Sequence, residues 1–468
     1  MPEKDTSRGA LRDVLHRRLA GRSMPLLAGA RFVIPAASIW TGARTWVRRF
    51  RELGLTEGDR VVLSLPRSPA SVMVTTAAWW EGLTVCFSRQ GAGPKHELLR
   101  SYDARLMVSS RPGGHTLVPD HAGACPETAV ETRRAGEPTA GVALLLESSG
   151  TSGSTKRIAL SYSNLLHQVV GHAEALGIGP NDVVCSVLPW DHAFGLLVSL
   201  WPALLSGATV VVDPHNGRRI EALIDLASGS GSTRLDLVPR QVRELSRSAR
   251  GTHLLRRVQG VVGGAPVTRD LVGVLNETSL RVGYGQTEAS PGVALGRPGE
   301  FSEGWLGRPV GCETSVVDGT LRVRGKNVCA GFWDDGRVTH HNPDRWLDTG
   351  DVVQVCGDGF RFVGRADHRF KLENGRLVDA PLLEVGLREA TGDDRVCVVP
   401  GDGVEAVVVL GRGLPSGRSE RVGMVMGRVP WRAVVIDPSE PIYSAKGDID
   451  RRALNGLLLG GVKRSLAA

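Results

Sequence analysis

Residues 141–156 read GVALLLESSGTSGSTK, an apolar run, Gly141–Leu146, that passes directly into a hydroxyl- and glycine-rich segment, Glu147–Lys156, closed by one lysine. The first half has the length and composition of a buried strand. The second half suits phosphate. Glycines permit positive φ and close backbone approach, hydroxyls and amide N–H groups donate hydrogen bonds, and the lysine supplies charge. It is not the GxxxxGK[ST] loop of P-loop NTPases, because Gly150 and Lys156 are spaced differently and no Ser or Thr follows the lysine. A stretch rich in Ser, Gly and Thr also reads as a flexible linker. The rest of the chain decides between the two.

Outward from this segment, apolar runs of strand length alternate with helical-period segments. Arg60–Leu65 reads as a strand followed by a helix over Ala70–Trp80. Leu235–Pro239 leads into a helix over Arg240–Ser246. Val258–Val262 leads through Gly263-Gly264-Ala265-Pro266 to a helix over Arg269–Leu275, with Thr268 placed to cap it. The alternation predicts an α/β fold with largely parallel strands. From about Thr314 the pattern changes. Asp318-Gly319, between SVV and TLRVRG, is a hairpin signal, so antiparallel pairing is expected there. Beyond Gly364 a shorter unit begins, with a helix over Pro381–Ala390 and strands near Val396–Val399, Ala406–Leu410 and Trp431–Ile436. It predicts an α+β module of about a hundred residues, an ordinary domain size. The expected division is a large N-terminal domain of α/β subdomains with an antiparallel β portion, residues 1–364, and a small C-terminal domain, residues 365–468.

With 468 residues, 41% apolar and 23% charged, the composition is that of a soluble globular protein. The net charge of +8 comes from scattered arginines. No clustered basic stripe interleaved with aromatics is visible, which argues against nucleic acid. A diffuse positive balance suits polyanionic small ligands or an acidic protein partner. Seven cysteines are widely spaced and form no CxxC, so reduced thiols and neither a disulfide framework nor a zinc site are expected. The start lacks an apolar signal core, and ARFVIPAASIW (Ala30–Trp40) is too short to span a bilayer. A cytoplasmic protein without membrane attachment is expected.

Five segments, taken in order, carry a resemblance. They are SSGTSGSTK (Ser148–Lys156), LPWDHAFGL (Leu188–Leu196), GYGQTE (Gly283–Glu288), DTGD (Asp348–Asp351) and GRADHRFKLENG (Gly364–Gly375). Shorter matches are LGLTEGDRV (Leu53–Val61), GGAP (Gly263–Pro266) and GFW (Gly331–Trp333). Together they resemble the core motifs of the adenylate-forming superfamily of acyl-CoA synthetases, adenylation domains and luciferases. The likeness runs from about residue 40 onward.

The resemblance implies an ATP- and magnesium-dependent ligase that makes an acyl-adenylate and pyrophosphate from a carboxylic acid. It then implies transfer to coenzyme A or to a carrier-protein phosphopantetheine arm, as in bacterial specialised metabolism. Ser148, Ser149, Gly150, Thr151, Ser152, Gly153 and Lys156 would embrace the phosphates. Gly264, Ala265, Pro266 and Gly285 would line the nucleotide site, and Tyr284 would stack on adenine. Thr287 would donate to the α-phosphate, and Glu288 would offer Mg²⁺ a hard oxygen. Asp351 would accept the ribose hydroxyls, with Arg365 as a second contact. Asp367 would be the hinge about which a mobile C-terminal domain rotates. Trp190, His192, Phe194 and Gly283 would border the acyl pocket, with Trp190 narrowing it.

The chain departs from the family pattern in places. Thr155 and Arg157 stand for the usual proline and glycine of the phosphate loop, Tyr162 stands for a histidine, and KLENG carries one residue more than the common form. Near the C-terminus, PIYSAKGDIDRRAL (Pro441–Leu454) puts Asp448 in the register of the family's catalytic lysine. A carboxylate there repels phosphate. In an extended segment residues two apart face the same side, so Lys446 is the candidate for that role. Two rival readings keep the same motifs: adenylation of an unusual acid such as nitrite with transfer to an aryl amine, and a nucleotide-binding protein without catalysis. A monomer or homodimer is expected.

Overall fold

The computed structural model describes residues 6–20, 25–29, 32–88, 95–110, 128–132, 138–149, 155–334, 336–342, 344–393, 396–401, 404–410, 419–435, 451 and 454. Among these residues two large sheets dominate, one of eight strands and one of thirteen.

The eight-stranded sheet is built around three parallel strands, Arg60–Ser64, Thr84–Phe87 and Leu106–Ser110. Between the first two runs the Pro69–Glu81 helix, whose residues from Pro69 to Trp79 are all buried. A helix apolar on every face belongs inside a protein, so the expected helix is present but carries no amphipathic stripe. Val142–Ser149 joins the sheet beside Thr84–Phe87, then pairs antiparallel with Thr155–Ser161 through to Ser149 opposite Thr155. The described part of the glycine- and hydroxyl-rich segment is therefore strand: Ser148, Ser149 and Lys156 lie in this ladder, and Gly150, Thr151, Ser152 and Gly153 lie outside the described residues.

The thirteen-stranded sheet is parallel over Pro25–Gly29, Thr209–Val212, Val183–Ser186, Arg234–Leu235, Gln259–Gly263 and Ser279–Gly285. Antiparallel pairing then begins at Gly292–Leu295, earlier than the change of pattern at Thr314 suggested. Four residues, GVAL, are too few to display an alternation of their own. The Asp318-Gly319 turn is as expected: both residues have positive φ, 51° and 74°, and they join Glu313–Val317 to Thr320–Arg324. Thr268 does precede the Arg269–Asn276 helix but makes no cap bond. Its hydroxyl donates to Asp270 at 2.5 Å and accepts from Arg243 at 2.8 Å.

Beyond Arg365 come a 3-10 turn over Ala366–His368, a short hairpin of Phe370–Lys371 with Leu377–Val378, and the Ala380–Thr391 helix. A three-stranded sheet of Cys397–Pro400, Ala406–Leu410 and Trp431–Val435 follows, with the Ser419–Met426 helix. These elements share an apolar cluster that includes Leu372, Leu387, Val398, Val408 and Val422. The whole is a mixed α/β fold. No helix among the described residues is long and apolar enough to cross a membrane.

Candidate active site

Two adjacent parallel strands end side by side at the site. Gly263 pairs with Gly283, so GGAP and GYGQTE leave the sheet together at its carboxyl edge. Open α/β sheets bind ligands at such edges. The glycines are demanded by crowding. A Cβ on Gly263 would lie 2.6 Å from the Gly283 carbonyl oxygen, and one on Gly285 would lie 1.5 Å from the Pro291 carbonyl oxygen. Gly264 has φ +79°, a conformation strained for other residues. Ala265 is half-buried and Pro266 exposed in the turn that follows.

Tyr284, Asp351 and Arg365 form one hydrogen-bonded unit. The Tyr284 hydroxyl donates to Asp351 Oδ2 at 2.5 Å, and Arg365 Nη1 donates to Asp351 Oδ1 at 2.8 Å. Arg365 Nη1 also reaches the Thr349 carbonyl at 2.8 Å. Asp351 is 7% exposed. Burial raises its pKa, opposed by Arg365 and by the Tyr284 hydroxyl, while burial and Asp351 push the Tyr284 phenol well up. The DTGD motif is not a free turn. It lies within the Leu347–Cys356 strand, where the step from Thr320 to Arg322 is matched by the longer step from Val352 to Asp348. Thr349–Asp351 therefore bulges out, with Gly350 at φ +69°, and the bulge aims the carboxylate at Tyr284.

The two sheets meet at Glu288. Its carboxylate accepts from Ser148 Oγ at 3.4 Å, and its carbonyl accepts from the Cys329 N–H at 2.8 Å. Thr287 opens the 3-10 turn Thr287–Ala289 and is half-buried. Lys156 is exposed and lies opposite Ser148 in the hairpin ladder. Arg157 approaches Glu147 at 3.4 Å and stacks over Tyr102, while the Tyr162 hydroxyl donates to the Leu83 carbonyl. Two substituted positions thus have structural partners. Among the described residues no group of three or more His, Cys, Asp or Glu gathers. Mg²⁺ usually takes one or two carboxylates and completes its shell with phosphates and water, so Glu288 fits as a protein share.

Beside Tyr284 opens a cavity lined in part by Phe194, Gly264, Gly283 and Gly285. Phe194 and Gly283 are thus brought together on one cavity, and Trp190 and His192 are not among its lining residues. Trp190 is buried in the core, its indole N–H donating to Ser186 Oγ at 3.0 Å, and so cannot narrow the cavity. His192 is exposed and its carbonyl accepts from the Leu196 N–H. The reason is a π-helical stretch, Phe194–Leu200, which starts within the motif and turns Phe194 toward the cavity. Gly195 permits it, since a Cβ there would lie 2.1 Å from the Pro189 carbonyl oxygen.

Sequence reading missed the polar wall of this cavity. His167, Gln168 and His172 line it from the Tyr162–Leu176 helix, with Asn327 opposite. His167 Nε2 contacts the Gly311 carbonyl at 2.9 Å, and Asn327 Nδ2 donates to the Gly292 carbonyl at 3.0 Å. The only advance signal of the three helix residues was helical spacing, which a core face shares, and Asn327 had none. Asp367 lies 3.5 Å from Arg365 Nε. Lys446 and Asp448 lie outside the described residues.

Comparison with known proteins shows the family and the fold. The chain is 30% identical to 4-coumarate–CoA ligase 3 of Oryza sativa subsp. japonica over 252 residues, covering 47% of this chain and 45% of that one. It is 26% identical to 2-succinylbenzoate–CoA ligase of Bacillus pumilus over 349 residues, 67% and 69% of the two chains. The chain thus spans about half the length of the rice ligase it matches. The fold matches ATP-bound MatB from Rhodopseudomonas palustris, with a TM-score of 0.73 at 21% identity over 96% of this chain and 99% of that one. The family model for the AMP-binding enzyme matches residues 43–333, well over half of the sequence, and the chain belongs to that adenylate-forming family.

Proposed function

We propose that the protein activates an aryl carboxylic acid with ATP, forming an acyl-adenylate and pyrophosphate, and passes the acyl group to the thiol of coenzyme A. One observation carries the reading. Tyr284, which is hydrogen-bonded to the Asp351–Arg365 pair, lines a largely apolar cavity, and the GYGQTE motif it belongs to also carries Glu288, held by Ser148. A charged, hydrogen-bonding site beside an apolar slot is what joining a nucleotide to an organic acid requires.

A carboxylate has about four acceptor sites, so Asp351 can hold ribose hydroxyls while keeping Tyr284 and Arg365. Ser148, Lys156 and the residues between them would receive the phosphates, and Thr287 would donate to the α-phosphate. Mg²⁺, when bound by Glu288 and the phosphates, supplies charge neutralisation. Lys446 is assigned the bridge between acid and α-phosphate. Residues 365–468 are assigned the role of a module that turns about Asp367 before thiol attack. Aryl acids are favoured by the backbone-walled cavity and by the names of the relatives, which include 4-coumarate–CoA ligases and a feruloyl-CoA synthase. Those names also favour coenzyme A as acceptor.

The test is ATP–pyrophosphate exchange across aryl and aliphatic acids and nitrite, with coenzyme A thioester followed by mass spectrometry. Exchange is expected with an aryl acid and to fall by about a hundredfold or more in Lys446→Ala, the scale of losing one group that stabilises transition-state charge. Exchange with nitrite alone, thioester on a carrier protein alone, or ATP binding without exchange would each replace this reading.

A further inference from the structure

Gln168 and His172 are four residues apart on the Tyr162–Leu176 helix, hence on one face, and both line the cavity. Gln168 is oriented by backbone, because its Oε1 accepts from the Gly292 N–H at 3.3 Å. That leaves its amide nitrogen to donate to His172 Nδ1. An imidazole that accepts at Nδ1 carries its proton at Nε2 when neutral. Burial holds the His172 pKa down at about 4, so the neutral ring persists at physiological pH.

The backbone makes room for this pair. A Cβ on Gly292 would lie 2.5 Å from His172 Cε1 and 3.0 Å from Gln168 Nε2, so no other residue type fits there without displacing both. Gly292 therefore binds Gln168 through its N–H and Asn327 through its carbonyl. Among the described residues His172 Nε2 has no hydrogen-bond partner. Much of the remaining wall is apolar or glycine, including Phe194, Val198 and Leu295, and of its other polar side chains His167 and Asn327 are engaged with the Gly311 and Gly292 carbonyls and Tyr284 with Asp351. A fixed donor in such surroundings discriminates strongly between ligands that can accept its proton and ligands that cannot.

We infer that His172, held in its Nε2–H form by Gln168, is a specificity-determining residue that selects aryl acids carrying a second oxygen acceptor, a hydroxyl or ether, separate from the carboxylate. This rests on the proposed adenylation for its kinetic readout, and not for binding.

The test uses benzoate and cinnamate against their 2-, 3- and 4-hydroxy and methoxy derivatives. Equilibrium binding by calorimetry and ATP–pyrophosphate exchange are measured on the full chain, on His172→Phe, which keeps a flat ring, and on Gln168→Leu, which frees the tautomer. In the natural protein at least one oxygen-bearing acid is expected to surpass its parent by about tenfold or more, the scale of one buried hydrogen bond. That ratio should fall to near unity in His172→Phe and to an intermediate value in Gln168→Leu. Thermal unfolding of each variant shows whether it is folded. A ratio unchanged in a folded His172→Phe overturns the inference, as does loss shared equally by the parent acids. Exchange without any preference overturns it while leaving adenylation standing. Discrimination in binding without exchange supports it and sinks adenylation. No binding of any of these acids overturns it too.

Discussion

Asp351 holds its charge against burial with two partners, and removing either has a computable direction. Its folded pKa is raised above the ordinary 3.8 because burial outweighs Arg365 and the Tyr284 hydroxyl. The folded state therefore binds this proton more tightly than the unfolded chain. In the window from 3.8 up to the folded value, its contribution to stability falls as pH rises. For nucleotide binding the same shift has a second effect. The carboxylate is lost on acidification sooner than for an exposed aspartate, so KM for ATP should rise on the acid limb. Tyr284→Phe removes a bond that favours the charged form, and should move that inflection to higher pH. Measuring KM for ATP against pH in both proteins checks it; an unmoved inflection denies the hydroxyl this role. His172 gives the opposite sign. Its pKa falls from 6.5 to about 4 on burial, so the unfolded chain takes up the extra proton and stability declines as pH drops through that window. Urea midpoints at neutral pH and near about pH 5 should diverge less in His172→Phe than in the natural protein.

At the scale of elements, what could be read in advance was whatever the backbone alone requires. The Asp318-Gly319 turn stood out because only positive φ closes it, and Gly263, Gly264 and Gly285 stood out through the family motifs they sit in, whose glycines close approach and positive φ then explain. Elements decided by packing stayed hidden. Thr155–Ser161 is held between two antiparallel partners, Val142–Ser149 and the distant strand Gly331–Asp334. The π-helical Phe194–Leu200 is apolar on all sides, so its sequence holds no period to contradict an α-helix. His172 and Gln168 fall at a spacing shared with any core-facing helix stripe, and their hydrogen bond is set by Gly292 from another strand. Gly195 connects the two kinds. Gly195→Ala should push the π-helix off the Pro189 carbonyl, at a cost of about 1–3 kcal/mol for overpacking. Because Phe194 moves with it, KM for the acid should rise more than KM for ATP. Equal changes in both would mean that the π-helix does not shape the cavity.

Across the whole molecule, the two sheets meet at Ser148 and Glu288, while the cavity is walled by the thirteen-stranded sheet and the Tyr162–Leu176 helix, so a residue that ties the sheets together tests how far their docking shapes the cavity. Arg67 has that position. It follows the Arg60–Ser64 strand of the eight-stranded sheet, yet its guanidinium donates to the Ser186 carbonyl at 2.8 Å, the Leu188 carbonyl at 3.2 Å and the Asp213 carbonyl. Ser186 ends a strand of the thirteen-stranded sheet, and Leu188 opens the segment that leads into Phe194. Burial lowers the Arg67 pKa only to about 10, so it remains charged at neutral pH and its hydrogen bonds are charge-assisted. Arg67→Met keeps much of the length and apolar stem but strands three carbonyls. The loss should be on the order of 3 kcal/mol, since bonds to a charged donor are worth more than neutral ones and their partners are left unpaired. Urea unfolding gives that figure from the midpoint at unchanged slope. The same variant, assayed where it remains folded, should bind ATP with nearly the natural KM, because the Tyr284–Asp351–Arg365 unit lies wholly within the thirteen-stranded sheet. Its KM for the acid should rise, because the cavity wall at Phe194 is anchored through Leu188. A variant that lost stability but kept both constants would show that Arg67 joins the sheets without setting the pocket. One that lost ATP affinity as strongly would mean the seam is held together at Ser148 and Glu288 rather than at Arg67.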